Sequence, residues 1–239
     1  VANYHKWRGE MEEAIDANRW LTRLYPRSAA YWNNLGYNYL ESGNSERSIE
    51  MFREAIRIYP NAYPYWGLGL ALQRLNRYDE AKEAFENGIT HDDHVYFHSG
   101  LYVGAFVKED GAALEQQLAW GSSRPEQFHL IWEGNAAAFS GQLRKARELY
   151  NRGIEIEKVH NKQGANKQLA AGDAATIAFR EAMAGRCQHV KDDTARSRAI
   201  MPDHDAKWRS AMAFALCGHR KQAQNLIDDL TGSRGNENS

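Results

Sequence analysis

The chain has 239 residues, which is enough for one or two ordinary domains or for one continuous array of repeats. Its formal net charge is -1, so no strong overall field attracts nucleic acid or an anionic membrane. No segment reaches the roughly twenty apolar residues of a membrane span. We therefore expect a soluble protein that binds no nucleic acid and inserts into no membrane, and we favour the cytoplasm over the periplasm.

Pairs of small residues, twelve positions apart, recur about every thirty-four residues along the chain. The first column is Ala2, Gly36, Gly69, Gly100, Gly134, Ala178 and Ala211. The second column is Ala14, Ser48, Ala81, Ala112, Ala146, Val190 and Ala223. Turn residues often lie five positions before the second column, at Gly9, Gly43, Asn76, Gly141, Gly185 and Gly218. This period predicts stacked helix pairs, with small residues where the two helices of a pair cross.

The segment from Ala29 to Asn61 carries the pattern most completely. One helical face is followed by a break at Gly43 and Asn44, and a second helix ends before Pro60. The residues in order are Trp32, Leu35, Gly36, Tyr39, Ser48, Phe52, Ala55 and Pro60. This order resembles the tetratricopeptide repeat, with Ser48 in place of the usual alanine. The resemblance implies an all-α fold, a right-handed superhelix (α-solenoid) of stacked antiparallel helix pairs.

The repeat pattern extends over residues 1–235 as a single solenoid of about six and a half repeats, and residues 236–239 are expected to form a frayed tail. The first repeat is truncated, so we expect Val1 to be a boundary within a longer chain. A short step of 31 residues leads from Ala81 to Ala112, where Glu109 to Gly111 replace the usual break.

A long step of 44 residues separates Ala146 from Val190. We interpret it as a lengthened first helix over Asn166 to Ala184, preceded by a polar loop around Asn161 to Gly164. A surface loop is the alternative. Cys187 and Cys217 fall in neighbouring repeats near the helix turns. They have no metal-ligand spacing, and we expect two small buried residues rather than a disulfide.

No catalytic motif is present, so we expect no enzyme activity and no cofactor. There is no phosphate-binding glycine loop, nucleophile elbow or paired-acid signature. The cluster His91, His94 and His98 has a spacing that can bind a transition metal. The alternative is a helix start capped by Asp92 or Asp93 with two polar groove residues. We favour that alternative, because a tight site needs at least three oriented ligands.

Two further runs, residues 111–120 and 138–150, are similar to a group of bacterial proteins. In that group such arrays follow a serine/threonine kinase domain or a winged-helix domain. The similarity implies an accessory interaction or sensor region of a larger bacterial regulatory protein. Kinase activity is not implied, because the chain lacks the catalytic motifs. The basic residues Arg144 and Lys145 are interpreted as part of a solvated exterior.

In tetratricopeptide arrays the first helices line a concave face, and that face is the predicted binding groove. By alignment the groove residues are Asn33, Tyr37, Tyr63, Trp66, Leu70, Arg74, Phe97, Leu101, Ile131, Asn135 and Phe139. Large rings with a few amides suit a peptide, because they combine apolar contact with hydrogen bonds to a backbone. Packing between repeats is the alternative for any single ring. Trp66 and Phe97 stand where the family's carboxylate-clamp variety has lysine, which weakens that mode of binding.

We therefore predict a protein–protein interaction module that holds a peptide or protein segment in its groove. A small-molecule or metal-binding sensor that uses the same concavity is the alternative function.

Overall fold

The computed structural model describes residues 11–124, 128–160, 165–201 and 204–232. In these residues the regular elements are thirteen α-helices, so the predicted all-α class is confirmed. The helices are α1 (Met11–Leu24), α2 (Ala29–Glu41), α3 (Ser45–Ile58), α4 (Ala62–Arg74), α5 (Tyr78–Ile89), α6 (Val95–Val107), α7 (Gly111–Ser122), α8 (Phe128–Phe139), α9 (Leu143–His160), α10 (Ala165–Met183), α11 (Val190–Ile200), α12 (His204–Leu216) and α13 (Arg220–Gly232).

Consecutive helices pack in pairs. Helix α2 packs on α3, α4 on α5, α8 on α9, α10 on α11 and α12 on α13. The first helices of the pairs therefore carry even numbers and the second helices odd numbers. The predicted lengthening of a first helix is confirmed, because α10 has 19 residues against 13 in α2. The predicted loop at Asn161–Gly164 lies outside the described residues, as do Val1, Ala2, Gly9 and the tail at 236–239.

The chain divides into two compact units, Val1–Leu118 and Ala119–Ser239. We call them the N-terminal unit and the C-terminal unit. The single solenoid over residues 1–235 stays a prediction.

The N-terminal unit is held together by aromatic rings that fit against glycines. A Cβ atom added at Gly36 would lie 2.8 Å from the Phe52 ring, and one added at Gly67 would lie 2.2 Å from it. Phe85 repeats this arrangement one pair later, between Gly69 and Gly100. Both rings are fully buried. Each second-helix ring thus occupies a notch formed by the first helix of its own pair and the first helix of the next. The glycines therefore make room for the aromatic ring, and they are not needed for a close approach of two helix backbones.

The turns within the pairs confirm the predicted break residues. Positive φ angles occur at Gly43, Asn76, Gly141, Gly185 and Gly218, where an L side chain is disfavoured and glycine or asparagine is favoured. Each turn also closes with a backbone hydrogen bond across five residues, such as that from Asn44 N to Tyr39 O at 2.8 Å.

The third pair, α6 and α7, is two residues out of the predicted register. Its turn lies at Glu109, which has a φ of 56°, and the closing bond runs from Asp110 N to Ala105 O. Gly100 packs on Phe85 of the preceding pair and is therefore the equivalent of Gly67, not of Gly69. Ala112 is exposed, whereas the other described members of the second column are buried. The predicted short step of 31 residues is thus wrong, because the true column members are Tyr102 and Leu114.

In the C-terminal unit the buried Tyr150 ring fits against Gly134, but much of the remaining core consists of small side chains. Alanines make up much of its buried apolar set, including Ala174, Ala175, Ala178, Ala206, Ala211 and Ala213. An ion cluster lies beside this core, in which Arg147 donates to Glu181 at 2.7 Å and to Asp193 at 2.6 Å. The hydrogen bonds to Glu181, and then those to Asp193, raise the pKa of the Arg147 guanidinium. The cluster joins α9, α10 and α11.

Cys187 and Cys217 form a disulfide, with their Cα atoms 5.5 Å apart. Our expectation of two unlinked buried cysteines was therefore wrong. The physical reason is the stacking of turns: Cys187 follows the α10 turn glycine and Cys217 precedes the α12 turn glycine. Two residues on adjacent turns come close although they are 30 positions apart in the sequence.

Candidate functional site

The predicted groove residues of the N-terminal unit lie on first helices and differ widely in exposure. We call this surface the first-helix face and define it by Asn33, Tyr37, Tyr63, Trp66, Leu70 and Arg74 of α2 and α4. Tyr63 is 74% exposed, and Arg74 is exposed as well. Asn33, Tyr37, Trp66 and Leu70 are half-buried. The face therefore presents one exposed ring, Tyr63, next to a half-buried apolar surface.

The half-buried surface contains an aromatic cluster centred on Trp66. Its indole stacks on Tyr96 with centroids 5.4 Å apart and meets Phe97 edge-on at 6.1 Å. Phe85 lies below it at 5.4 Å. Aromatic pairs at such distances fix one another's orientation. Trp66 is thus held rigidly from both sides, so it loses little conformational entropy if a ligand packs on it.

Polar groups line the same face. The Asn33 Oδ1 atom is buried and has no hydrogen-bond partner. The Arg74 guanidinium donates to the Leu40 carbonyl, which ties the end of α4 to the end of α2. Buried polar atoms without a partner also occur away from this face, for example Asn18 Oδ1 and Ser210 Oγ, so the Asn33 oxygen by itself does not indicate a ligand.

Tyr37 links α2 to α4. Its hydroxyl donates to the Tyr63 carbonyl at 3.3 Å, and its ring meets Phe52 edge-on at 5.0 Å. Burial, and then the charge of Glu41, raises the pKa of the Tyr37 phenol to about 12. Tyr37 therefore stays protonated near neutral pH and serves as a hydrogen-bond donor.

Two predicted groove residues, Phe97 and Leu101, are misplaced by the two-residue register shift in α6. Phe97 is only 2% exposed and packs against Gly88, so it supports Trp66 from the core. In the corrected register Ser99 and Val103 take the positions assigned to Phe97 and Leu101. Val103 is 44% exposed, and Tyr96 is 55% exposed. Sequence reasoning missed these two, although Glu109 in the turn position was an available signal.

The remaining predicted groove residues belong to the C-terminal unit. Ile131 is half-buried and packs on the cluster that contains Ala137, Tyr150 and Ile177. Asn135 accepts a hydrogen bond from the Tyr150 hydroxyl at 2.7 Å, so its side-chain oxygen is engaged within the fold. Phe139 is 77% exposed at the end of α8. Of these three residues, Phe139 has the largest exposed surface.

The three histidines of the candidate metal cluster have separate roles. His91 stacks on Tyr65, and His94 caps α6 by accepting from the Tyr96 backbone N–H at 3.3 Å. The expected cap was Asp92 or Asp93, so that assignment was wrong. The two ring nitrogens of His98 each lie 2.7 Å from an oxygen, of Gln117 and of Asp93. Within the described residues, no group of three His, Cys, Asp or Glu side chains is placed to hold a metal ion.

Family models for the tetratricopeptide repeat match residues 29–62 and 62–92. These are the two pairs α2–α3 and α4–α5, where the notched rings Phe52 and Phe85 lie. The protein contains tetratricopeptide repeats. Such repeats generally mediate protein–protein interaction and generally belong to non-catalytic scaffolds. The sequence has no match among curated proteins.

Several solved structures share the fold. A chain of the APC/C hetero-tetramer Cut9-Hcn1 is 17% identical with a TM-score of 0.58, over 92% of this chain and 41% of that chain. PilW, a widely conserved type IV pilus biogenesis factor, is 16% identical with a TM-score of 0.56, over 86% and 92% of the two chains. PilF of Pseudomonas aeruginosa is 13% identical with a TM-score of 0.54, over 86% and 90%.

The chain thus spans less than half of the Cut9-Hcn1 chain that it resembles, and at these identities the likeness shows the fold alone. Among the described helices, none is long and apolar enough to cross a membrane.

Proposed function

We propose that the N-terminal unit binds an extended segment of a partner protein on its first-helix face. Tyr63 carries the proposal, because a tyrosine ring that is 74% exposed beside a rigid indole is a ready anchor for apolar side chains. The half-buried Asn33 amide would hydrogen-bond to the segment. Arg74, at the other end of the face, would meet an acceptor or an acidic side chain.

The corrected register extends this surface onto α6. Val103 takes the position assigned to Leu101, and the exposed Tyr96 ring is added as a contact residue, whereas the buried Phe97 is removed. The face therefore combines rings, aliphatic surface and a few polar atoms, which is the composition of a peptide-binding surface. The alternative of a metal sensor receives no support from His91, His94 and His98, since each is engaged separately.

The test begins with a displayed library of random peptides selected on the immobilised full chain. The affinity of a selected peptide is then measured by fluorescence anisotropy. We expect Tyr63→Ala to weaken binding by about 30-fold, the equivalent of about 2 kcal/mol for a central aromatic anchor. Tyr59→Ala is the matched control, because Tyr59 is 65% exposed but lies beyond the end of α3. It should change the affinity by less than about twofold.

A second variant separates binding from folding. Asn33→Ala removes the unsatisfied oxygen, so the free energy of unfolding should stay the same or rise while the affinity falls. Loss of binding in Tyr59→Ala with Tyr63→Ala intact would place the partner elsewhere. A library that enriches no peptide would contradict the proposal as well.

We also propose that the chain is the interaction part of a larger bacterial regulatory protein. The support is the similarity of residues 111–120 and 138–150 to arrays that follow kinase or winged-helix domains. The match covers 41% of the Cut9-Hcn1 chain, so an array like this one is found within a longer chain. The test is the sequence that precedes Val1 in the native gene product: a kinase or winged-helix domain there is expected, and a complete short protein would contradict the proposal.

A further inference from the structure

The first helices of the C-terminal unit end in large exposed apolar side chains. Phe139 ends α8 and is 77% exposed, Met183 ends α10 and is 59% exposed, and Leu216 ends α12 and is 51% exposed. Each lies two residues before the positive-φ glycine of its turn. Met212, one helical turn before Leu216, is 45% exposed. The same structural position is therefore apolar and open in three successive pairs.

The turns that follow these residues lie side by side. Arg186, after α10, lines the same cleft of about 310 Å³ as Gly141 to Lys145, after α8. The Cys187–Cys217 disulfide joins the α10 turn to the α12 turn. We call this surface the turn edge and define it as residues 139–145, 183–191 and 216–221. It is one continuous surface that crosses three helix pairs.

The turn edge is basic. It contains no aspartate or glutamate, whereas it carries Arg144, Lys145, Arg186, Lys191, Arg220 and Lys221. All six side chains are exposed. None of them forms a hydrogen bond or ion pair with another residue in the described part of the chain. Of the nearby acids, Glu181 and Asp193 are already bound by Arg147, whereas Glu148 and Asp192 are exposed at the border of the edge.

The N-terminal unit does not share this character. Its equivalent turns, residues 41–47, 74–80 and 107–113, each contain at least one acidic residue. Several of their charges are paired, such as Arg77 with Glu80 and Lys108 with Asp79. The residues equivalent to Phe139, Met183 and Leu216 are Glu41, Arg74 and Val107. Among the described turns within helix pairs, those of the C-terminal unit alone combine unpaired basic side chains with the absence of any acidic residue.

We propose that the turn edge docks an acidic segment of a protein partner, with apolar side chains of that segment seated on Phe139, Met183 and Leu216. Charge complementarity carries the choice of occupant. A segment rich in aspartate or glutamate places its carboxylates against the unpaired basic row, while its apolar side chains cover the open hydrophobic positions. This inference goes beyond the first-helix face of the N-terminal unit and uses different residues.

The shape of the edge favours a polypeptide over an anionic bilayer. Arg144, Lys145 and Arg186 surround a cleft, and a cleft receives side chains of a bound chain. A bilayer is instead met by apolar groups that protrude beyond the basic ones. Here the apolar residues lie at the ends of first helices. The basic pairs Arg144–Lys145 and Arg220–Lys221 lie beside them, in the first turns of second helices.

The experiment uses the full chain with its disulfide intact and a fluorescein-labelled peptide. The peptide is an amphipathic helix with leucines along one face and glutamates along the other. Anisotropy should show binding that weakens as the salt concentration rises, because exposed charges are screened. Arg186→Glu should weaken binding by at least about tenfold. Arg27→Glu, an exposed arginine of the N-terminal unit with the same change in net charge, should have an effect below about twofold.

A second matched pair tests the apolar contacts. Met183→Ser should weaken binding by about tenfold, whereas Val107→Ser, at the equivalent and similarly exposed position of the N-terminal unit, should leave it unchanged. A peptide with lysine in place of glutamate should not bind. Circular dichroism of each variant confirms that it remains folded.

The turn-edge proposal is wrong if the wild type does not bind the glutamate–leucine peptide, or if Arg27→Glu and Arg186→Glu weaken binding equally. It is also wrong if the chain sediments with phosphatidylglycerol vesicles through Arg186 and Met183 but ignores the peptide. None of these results bears on the Tyr63→Ala test, because Tyr63 lies in the other unit.

Discussion

The two units build the same helix pairs with different means of stabilisation. In the N-terminal unit, Phe52 and Phe85 fill notches between glycines and bury large apolar surfaces. In the C-terminal unit, Tyr150 fits against Gly134 in the same way, but alanines occupy much of the rest of the core, and a buried ion cluster and a disulfide connect neighbouring helices. Alanine buries little surface, so such a core provides less hydrophobic free energy. The comparison indicates that polar and covalent links offset a thinner core in the C-terminal unit.

The largest effect should come from emptying an aromatic notch. Phe52→Ala leaves a cavity between Gly36 and Gly67, and we expect the free energy of unfolding to fall by about 3–5 kcal/mol. Urea unfolding followed by circular dichroism measures it. Phe139→Ala is the control, because a ring that is 77% exposed should contribute less than about 0.5 kcal/mol. Equal losses in the two variants would contradict the packing described for the notch.

Reducing the disulfide should have the next largest effect, and only in the C-terminal unit. In the chain-entropy model, a disulfide that closes a loop of this length raises the free energy of the unfolded chain by about 3–4 kcal/mol. Hydrogen exchange should therefore quicken in α10 to α13 for Cys187→Ser and remain unchanged in α2 to α5. Uniform quickening, or none, would show that the disulfide does not reinforce the C-terminal unit selectively.

Removing the cation of the ion cluster should cost somewhat less, because the Arg147 side chain is 24% exposed. Arg147→Ala leaves Glu181 and Asp193 without their shared partner, so we expect a loss of about 2–4 kcal/mol. Arg77→Ala breaks the exposed pair with Glu80 in the N-terminal unit and should cost less than about 1 kcal/mol. Thermal unfolding of both variants distinguishes a buried from a solvated ion pair.

The smallest effect concerns alkaline pH and the N-terminal unit. Burial raises the pKa of Tyr37 to about 12, above the value of about 10 expected in the unfolded chain. A raised pKa in the folded state means that its contribution is complete below pH 10 and is lost as the pH rises towards 12. The loss should amount to about 1–2 kcal/mol, and Tyr37→Phe should flatten this part of the stability curve. A curve identical to that of the wild type would contradict the burial of the phenol.

Much of the fold could be predicted because it rests on local chemistry. Glycine or asparagine in a left-handed turn and a small residue beside a ring leave direct marks in the sequence, as at Gly43, Asn76 and Gly134. The register of the third pair was predicted wrongly, because Gly100 fits the spacing of the first column. In the structure Gly100 corresponds instead to Gly67, the glycine that contacts the ring of the preceding pair. Only the contact with Phe85 distinguishes the two.

The surfaces were harder to predict than the fold. Phe97 and Leu101 followed from the wrong register, and the exposure of Met183 and Leu216 depends on how neighbouring helices cover them. The disulfide likewise depends on two turns meeting in space. Periodicity shows which residues share a helix face, but it does not show which of them a neighbouring pair covers.

The most direct test of binding at the first-helix face is hydrogen exchange of the full chain with and without a peptide selected by display. We predict slower exchange in the first helices α2, α4 and α6 of the N-terminal unit, centred on Tyr63, with little change in α3 and α5. Slowing confined to the second helices α3 and α5 would contradict the claim that the first-helix face binds the partner.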